Sequence, residues 1–216
     1  MPSDLSCFNN GQSQSIGDMQ IVNACHAWFC THAATSALLF KKRELALRNY
    51  EKILARQPRH ALTLSRIAFL HVQACDRPRA IAGFERVLAI NAEDANIWFN
   101  LGYLRQQDGD HALAIEAFHH ATQINERHDR AWYGTGLSLI ALGQHVDAIA
   151  PLQKNAELQP MSPFGYMALA RTHFKLGDPE RCETVMRRLM GFDPKNAAAL
   201  EDETGIRIGV DRWWHH

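Results

Sequence analysis

The sequence predicts an all-α solenoid built from antiparallel helix pairs, and three observations predict it. The first is an internal period of 34. Trp98 and Trp132 are 34 apart, Gly109, Gly143 and Gly177 keep the same step, and so do Ala46, Ala80, Ala114 and Ala148, with Cys182 next in phase. A fixed period of this length marks a repeat architecture. The second is a matched pair of small and large residues in each period. Ala34, Ala68, Gly102, Gly136 and Ala170 are small at one place, and Tyr50, Phe84, Phe118, Leu152 and Met186 are large at another. A small side chain on the first helix of a unit lets the second helix approach closely, as ridge-into-groove packing requires. The third is composition: 46% hydrophobic and 21% charged residues describe a folded chain, not a disordered one.

Taken in order, residues 1–18 are rich in Ser, Asn, Gln and Gly and read as disordered. Residues 19–204 form the array, with units at 27–60, 61–94, 95–128, 129–162 and 163–196 and a cap at 197–204. In each unit the first helix carries the small residue. Gly109-Asp110, Gly143-Gln144 and Gly177-Asp178 mark the turn into the second helix. Pro58, Pro160 and Pro194 break the second helix, with Ala92 and Glu126 in the intervening slots. Each pair has apolar surface that only stacking on the next pair buries. The first unit departs from the pattern, with Cys30 in the place of Trp98 and Trp132 and Lys41-Lys42 in the place of Gly-Asp. Atypical end units are what capping produces. The segment from Asn196 to Thr204 reads as a further helix stopped by Gly205, its outer face made polar by Glu201, Asp202 and Glu203. Residues 205–216, with Trp213 and Trp214, read as a tail.

These residues resemble the tetratricopeptide repeat family. The likeness is carried by Trp98, Leu101 and Gly102, then Ala114, Phe118 and Ala121, and in the next copy by Trp132, Gly136, Gly143, Ala148 and Pro160. Five such units stand in one register without an insertion. The resemblance implies a right-handed superhelix closed by a short C-terminal capping helix, with the first helix of each unit lining a concave face. It implies a noncatalytic adaptor or scaffold that holds a peptide or helix of a partner protein there. The places that match the family's groove are Phe69, then Asn96, Phe99, Asn100 and Tyr103, then Arg130, Tyr133 and Leu137, then Phe164, Met167, Arg171 and Lys175, with Trp28 at the corresponding place of the first unit. In this phase Phe69, Phe99, Tyr103, Tyr133 and Phe164 are not needed for the core and are expected to anchor the partner. Asn96 and Asn100, four apart, are placed to bond an extended backbone, and Arg130 and Arg171 to pair with a carboxylate. The family's clamp for chaperone C-termini is not expected. The matching places hold Ser65, Phe69, Asn100, Arg130 and Gly134, of which only Asn100 and Arg130 fit.

Other classes are excluded by charge and motif. Lys plus Arg and Asp plus Glu are both 23, so no basic surface for nucleic acid is expected. Five widely spaced cysteines, an odd number, do not form a disulfide framework and suit a reducing, cytoplasmic setting. Met1 to Asp18 contains no Lys or Arg, so no secretory leader is read there. Ile21 to Phe40 is uncharged and long enough for a bilayer, and Lys41, Lys42 and Arg43 follow it. Asn23, His26, Thr31, His32, Thr35 and Ser36 interrupt that stretch, so a first array helix is preferred to an anchor at the inner face of a membrane. The excess of basic residues from Lys41 to Arg59 reads as a solvated helix face. Cys25, His26, Cys30 and His32 cluster, but in no zinc or haem spacing, so neither metal nor cofactor is expected. No phosphate loop, nucleophile elbow or metalloprotease motif is present, and no enzyme is expected. The alternative to a protein or peptide partner is a homo-oligomer in which Trp213 and Trp214, or the N-terminal helix, fill a neighbouring copy.

Overall fold

The computed structural model describes the backbone of residues 10–212 and the side chains of residues 19–212. Among them stand eleven helices and no strand, and the fold is an α-solenoid. The chain divides into two compact units, one up to Ala92 and one from Glu93.

The N-terminal unit holds α1 (Asn10–Leu39), α2 (Arg43–Arg56), α3 (Ala61–Gln73) and α4 (Arg77–Leu88), each packed on the next. Residues 10–18, expected to be disordered, belong to α1; residues 1–9 lie outside the described part. Ala27, Cys30, Ala34 and Ala37 of α1 meet Ala46, Tyr50 and Ile53 of α2 in one apolar cluster. On α3, Ala68 is fully buried against α4, where a Cβ on Gly83 would lie 2.8 Å from the Ala68 methyl.

The turn into the second helix repeats one geometry five times across the two units. The pivotal residue is left-handed: Lys41 (φ 56°), Cys75 (φ 58°), Gly109 (φ 86°), Gly143 (φ 77°) and Gly177 (φ 73°). The next amide reaches back five residues, as Lys42 to Ala37 (2.8 Å), Asp76 to His71 (2.9 Å), Asp110 to Arg105 (2.9 Å), Gln144 to Leu139 (2.9 Å) and Asp178 to His173 (3.0 Å). This closure satisfies helix-end carbonyls that would otherwise be left open. Glycine takes the conformation without a Cβ clash, and Lys41 and Cys75 take it in spite of one.

The C-terminal unit holds α5 (Ala95–Gln107), α6 (His111–Ile124), α7 (Asp129–Ala141), α8 (His145–Leu158), α9 (Pro163–Lys175), α10 (Pro179–Met190) and α11 (Pro194–Thr204). Each helix packs on the next. The first helices α5, α7 and α9 are also neighbours in one layer, and α11 rests on α9 and α10. The size pairing expected from the period explains how close the layers come. Phe118 of α6 is fully buried in a hollow between Gly102 and Gly134, where an added Cβ would sit 2.8 and 2.6 Å from its ring. Leu152 of α8 fills the equivalent hollow at Gly136.

The stretch after Gly205 is fastened as far as Arg212. Ile206, Ile208 and Val210 pack against the cluster of Met186, Leu189 and Leu200. The buried Glu201 carboxylate accepts the N–H groups of Ile208 (2.7 Å), Gly209 (2.9 Å) and Val210 (3.4 Å) through one oxygen. Arg212 bonds its other oxygen at 3.3 Å and Asp202 at 2.7 Å. What the sequence presents as a tail is thus a strap over α11. Trp213 and Trp214 lie outside the described residues.

Candidate peptide-binding groove

The candidate residues of α5, α7 and α9 share one layer of the C-terminal unit; Phe69 lies on α3 of the N-terminal one. Asp94 starts α5 by accepting the N–H groups of Asn96 (3.0 Å) and Ile97 (3.2 Å), which fills two helix-end donors. Asn96 is exposed beside that cap, and Asn100 is half-buried one turn on. Phe99 is half-buried. Its ring centroid is 5.8 Å from that of Phe118 and 4.9 Å from that of His128, and the Arg130 guanidinium lies 4.9 Å above it. His128 caps α7 with Nδ1, which accepts the Ala131 N–H at 3.3 Å. Burial first, and then Arg130, hold its pKa below the ordinary value, which keeps Nδ1 free to accept.

The aromatic set divides in two. Tyr103 is 47% exposed and Phe164 64% exposed, and both stand out from the layer. Phe99 and Tyr133 are packed on one side into the core, with Leu137 beside Tyr133 against Ala148 and Leu152. Phe69, though exposed, sets an edge on the buried Phe84 at 5.2 Å. The expectation that all five rings are free of the core is therefore corrected for Phe99 and Tyr133, while Phe69, Tyr103 and Phe164 are exposed. For Phe99 the reason is the small residues of the period, because glycine at 102 and 134 lets Phe118 come up to the first-helix layer, where Phe99 meets it; Tyr133 packs on the next cluster, with Ala148 and Leu152. Met167 is half-buried against the last core cluster.

A cavity of about 550 Å³ opens in the same unit, lined by Tyr133, Leu137, Ile140, His145, Ala168, Arg171, Thr172, Phe174, Lys175 and Glu203. It brings together four of the expected residues, Tyr133, Leu137, Arg171 and Lys175. Asn96, Phe99, Asn100, Tyr103, Arg130, Phe164 and Met167 are outside its lining. Ile140 and Phe174 were missed, although each is the twelfth residue of its unit, a place where the family's groove rule applies. Gln106 holds the same place on α5 and ties the layer together, its Nε2 donating to Gly134 O (3.1 Å) and Ser138 Oγ (2.8 Å) on α7. Glu203 had no local signal. It comes from α11 and takes Arg171 in a forked pair, with Nε at 2.9 Å from both oxygens and a terminal nitrogen at 2.8 Å. That bond raises the guanidinium pKa further. Burial raises the Tyr133 phenol, against the opposing pull of Arg171, so it remains a neutral donor. Thus Arg171, expected to meet a partner's carboxylate, meets one from its own chain.

Among the described residues no three His, Cys, Asp or Glu side chains are grouped to hold a metal. In the N-terminal cluster, Cys30 Sγ and His26 Nε2 are 3.6 Å apart. No helix of the described residues is long and apolar enough to cross a membrane.

Two family profiles match the sequence. One is described as anaphase-promoting complex, cyclosome, subunit 3, and matches residues 76–155; the other is the tetratricopeptide repeat, over residues 165–196. No curated protein matches the chain. Solved structures similar to it include the MamA protein, 18% identical with a TM-score of 0.73, covering 80% of this chain and 94% of that one. The 41-end form of MamA from Desulfovibrio magneticus RS-1 is 18% identical with a TM-score of 0.70, covering 78% and 95%. YrrB, described as a TPR protein with an unusual peptide-binding site, is 19% identical with a TM-score of 0.69, covering 78% and 88%. At these identities the structural likeness speaks for the fold. With the 34-residue period, the repeated left-handed turn and the two matching profiles, it makes this chain a member of the tetratricopeptide repeat family.

Proposed function

We propose that the chain is a noncatalytic interaction scaffold that binds a peptide or helix of a partner protein along α5, α7 and α9. The observation that carries this reading is the pair of large rings, Tyr103 and Phe164, exposed on the layer that also holds the cavity. Rings left in water beside a concave site are the usual anchors of a partner. The fold is shared with YrrB, for which a peptide-binding site is described. An anchor of this kind contributes about 2 kcal/mol on truncation, or roughly thirtyfold in Kd. The test is a photo-reactive phenylalanine analogue placed at Tyr103, at Phe164, or at Gln153 on the exposed side of α8. Crosslinks to one recurrent partner segment from the first two positions, and not from the third, are expected. Equal yields from all three would refute the reading.

A second reading, self-association, is favoured by α1. Trp28 and Phe29 on that helix are 64% and 69% exposed, beside Ile21 and Val22. Light scattering over a concentration series decides it: a mass that rises with concentration and falls back on Trp28→Glu plus Phe29→Glu supports self-association.

A further inference from the structure

Resting on the groove reading above, we propose that the cavity between α7, α9 and α11 selects an acidic segment, one in which an apolar side chain is followed by a carboxylate. We further infer that Glu203 holds the carboxylate's place in the free protein. The cavity lining combines two chemistries. Leu137, Ile140 and Phe174 give its lining apolar surface, and Arg171 and Lys175 of α9 give it positive charge. Its volume, about 550 Å³, is in the range of pockets that bury a small ligand and so has room for an aliphatic or aromatic side chain with its neighbour. The ionisable groups that face it are Tyr133, His145, Arg171, Lys175 and Glu203, so Glu203 is its only acid. Lys175 has no ion-pair partner among the described residues. Once Glu203 leaves, the charge left in the lining is that of Arg171 and Lys175, which matches an anion.

Glu203 is suited to leave. It sits in the last turn of α11, just before the left-handed Gly205, where the helix dipole disfavours an anion. The side chains of Arg171 and Glu203 are each 46% exposed, so water and an incoming carboxylate can reach the guanidinium without unburying either partner. The forked geometry of the pair is also the one in which a guanidinium recognises any carboxylate. The site differs from the family's chaperone clamp, whose matching places are poorly filled here. The carboxylate meets Arg171 and Lys175 on α9 instead.

The probes are two pools of fluorescein-labelled octapeptides. In the first, Leu, Ile, Met or Phe precedes Asp or Glu; in the second, Asn or Gln replaces the acid. Anisotropy is read on the full chain and on variants whose helicity and melting are unchanged. The acidic pool is expected to bind at least fivefold tighter than the amide pool. Glu203→Ala should tighten the acidic pool at least threefold, and Arg171→Gln should abolish the preference. Glu203→Ala without effect overturns the placeholder role. Equal binding of both pools, weakened by Tyr103→Ala plus Phe164→Ala, overturns the acidic pocket and leaves the groove reading standing. Binding of neither pool to any variant overturns both.

Discussion

Replacing Glu201 tests whether one buried carboxylate fastens the C-terminal strap. Its side chain is 4% exposed, and it accepts N–H groups at 2.7 and 2.9 Å, with a weaker third at 3.4 Å. Hydrogen bonds to a charged group contribute about 1.5–3 kcal/mol each. Glu201→Ala removes two good ones, but Gly209 regains water, so the loss should be about 3 kcal/mol. Glu201→Gln keeps one acceptor oxygen for the strap amides but loses the charge and the second oxygen, which takes Arg212, a loss of about 1–2 kcal/mol. At ~2–4 °C per kcal/mol for a chain of this length, Tm should drop by roughly 6–12 °C and 2–8 °C. Hydrogen exchange should locate the change, with the amides of Ile208 and Gly209 losing protection first. The pH dependence is a second readout. Burial pushes the Glu201 carboxyl up, but the N–H groups of Ile208, Val210 and Gly209, with Arg212, outweigh it and hold the pKa below its ordinary 4.5. The unfolded chain therefore takes up this proton first as pH falls. The group's stabilisation is complete above the unfolded value and drains away as pH drops through the folded one. Glu201→Gln should flatten that part of the profile. An unchanged Tm in Glu201→Ala, with the strap amides exchanging at the parental rate, would show that the strap is held by its apolar residues alone.

Cys75→Gly should raise stability by about 0.5–1 kcal/mol, because relief of the left-handed Cβ clash, ~1–2 kcal/mol, exceeds the added chain entropy; a lower urea midpoint would contradict it. Gly136→Ala should cost about 1–2 kcal/mol. The new methyl would lie 2.6 Å from Leu152 Cδ2 and Cγ, and overpacking of ~1–3 kcal/mol outweighs the gain in helix propensity. In the Leu152→Ala background the penalty should largely vanish, which a double-mutant cycle in urea measures. His128 and His173 are both held below the ordinary 6.5, by burial first. The unfolded chain thus binds protons there that the folded chain does not, and Tm should fall as pH drops below about 6.5. Melting curves of His128→Asn plus His173→Gln should show a shallower slope over that range.

The repeated architecture was legible because its causes recur in the sequence. Residue size at 102 and 118, or at 136 and 152, reports a close approach directly, and glycine at 109, 143 and 177 reports a left-handed turn. Lys41 and Cys75 carry no such local signal. The period alone places them, and the geometry holds there because the flanking helices dictate it. Function was less legible because exposure depends on what a neighbour presents. Tyr103 and Phe99 are four apart on α5, yet Phe118 reaches only Phe99. The family's positional rule found Arg171 and Lys175, and applied at every twelfth place it also finds Ile140 and Phe174. It cannot find Glu203, which lies 32 residues beyond Arg171 on a helix with no role in the rule. The alternation of Ile206, Ile208 and Val210 was the one clue that the segment after Gly205 packs down.

The three consecutive acids of α11 read in the sequence as a solubilising face, and the structure gives each a different task. Glu201 binds the strap, Asp202 takes Arg207 and Arg212, and Glu203 takes Arg171. At about 100° per residue, Glu201 and Glu203 point roughly 160° apart, so α11 is fastened to the strap on one side and to the groove on the other. The two fastenings are unequal. Glu201 is buried with Leu200 and Ala197 in the core contact, whereas Glu203 is half in water. A carboxylate that takes Arg171 therefore releases one side chain and leaves the helix docked. Exchange at the groove needs no unfolding of the cap, and the strap's stability and the groove's selectivity should respond to separate substitutions two residues apart.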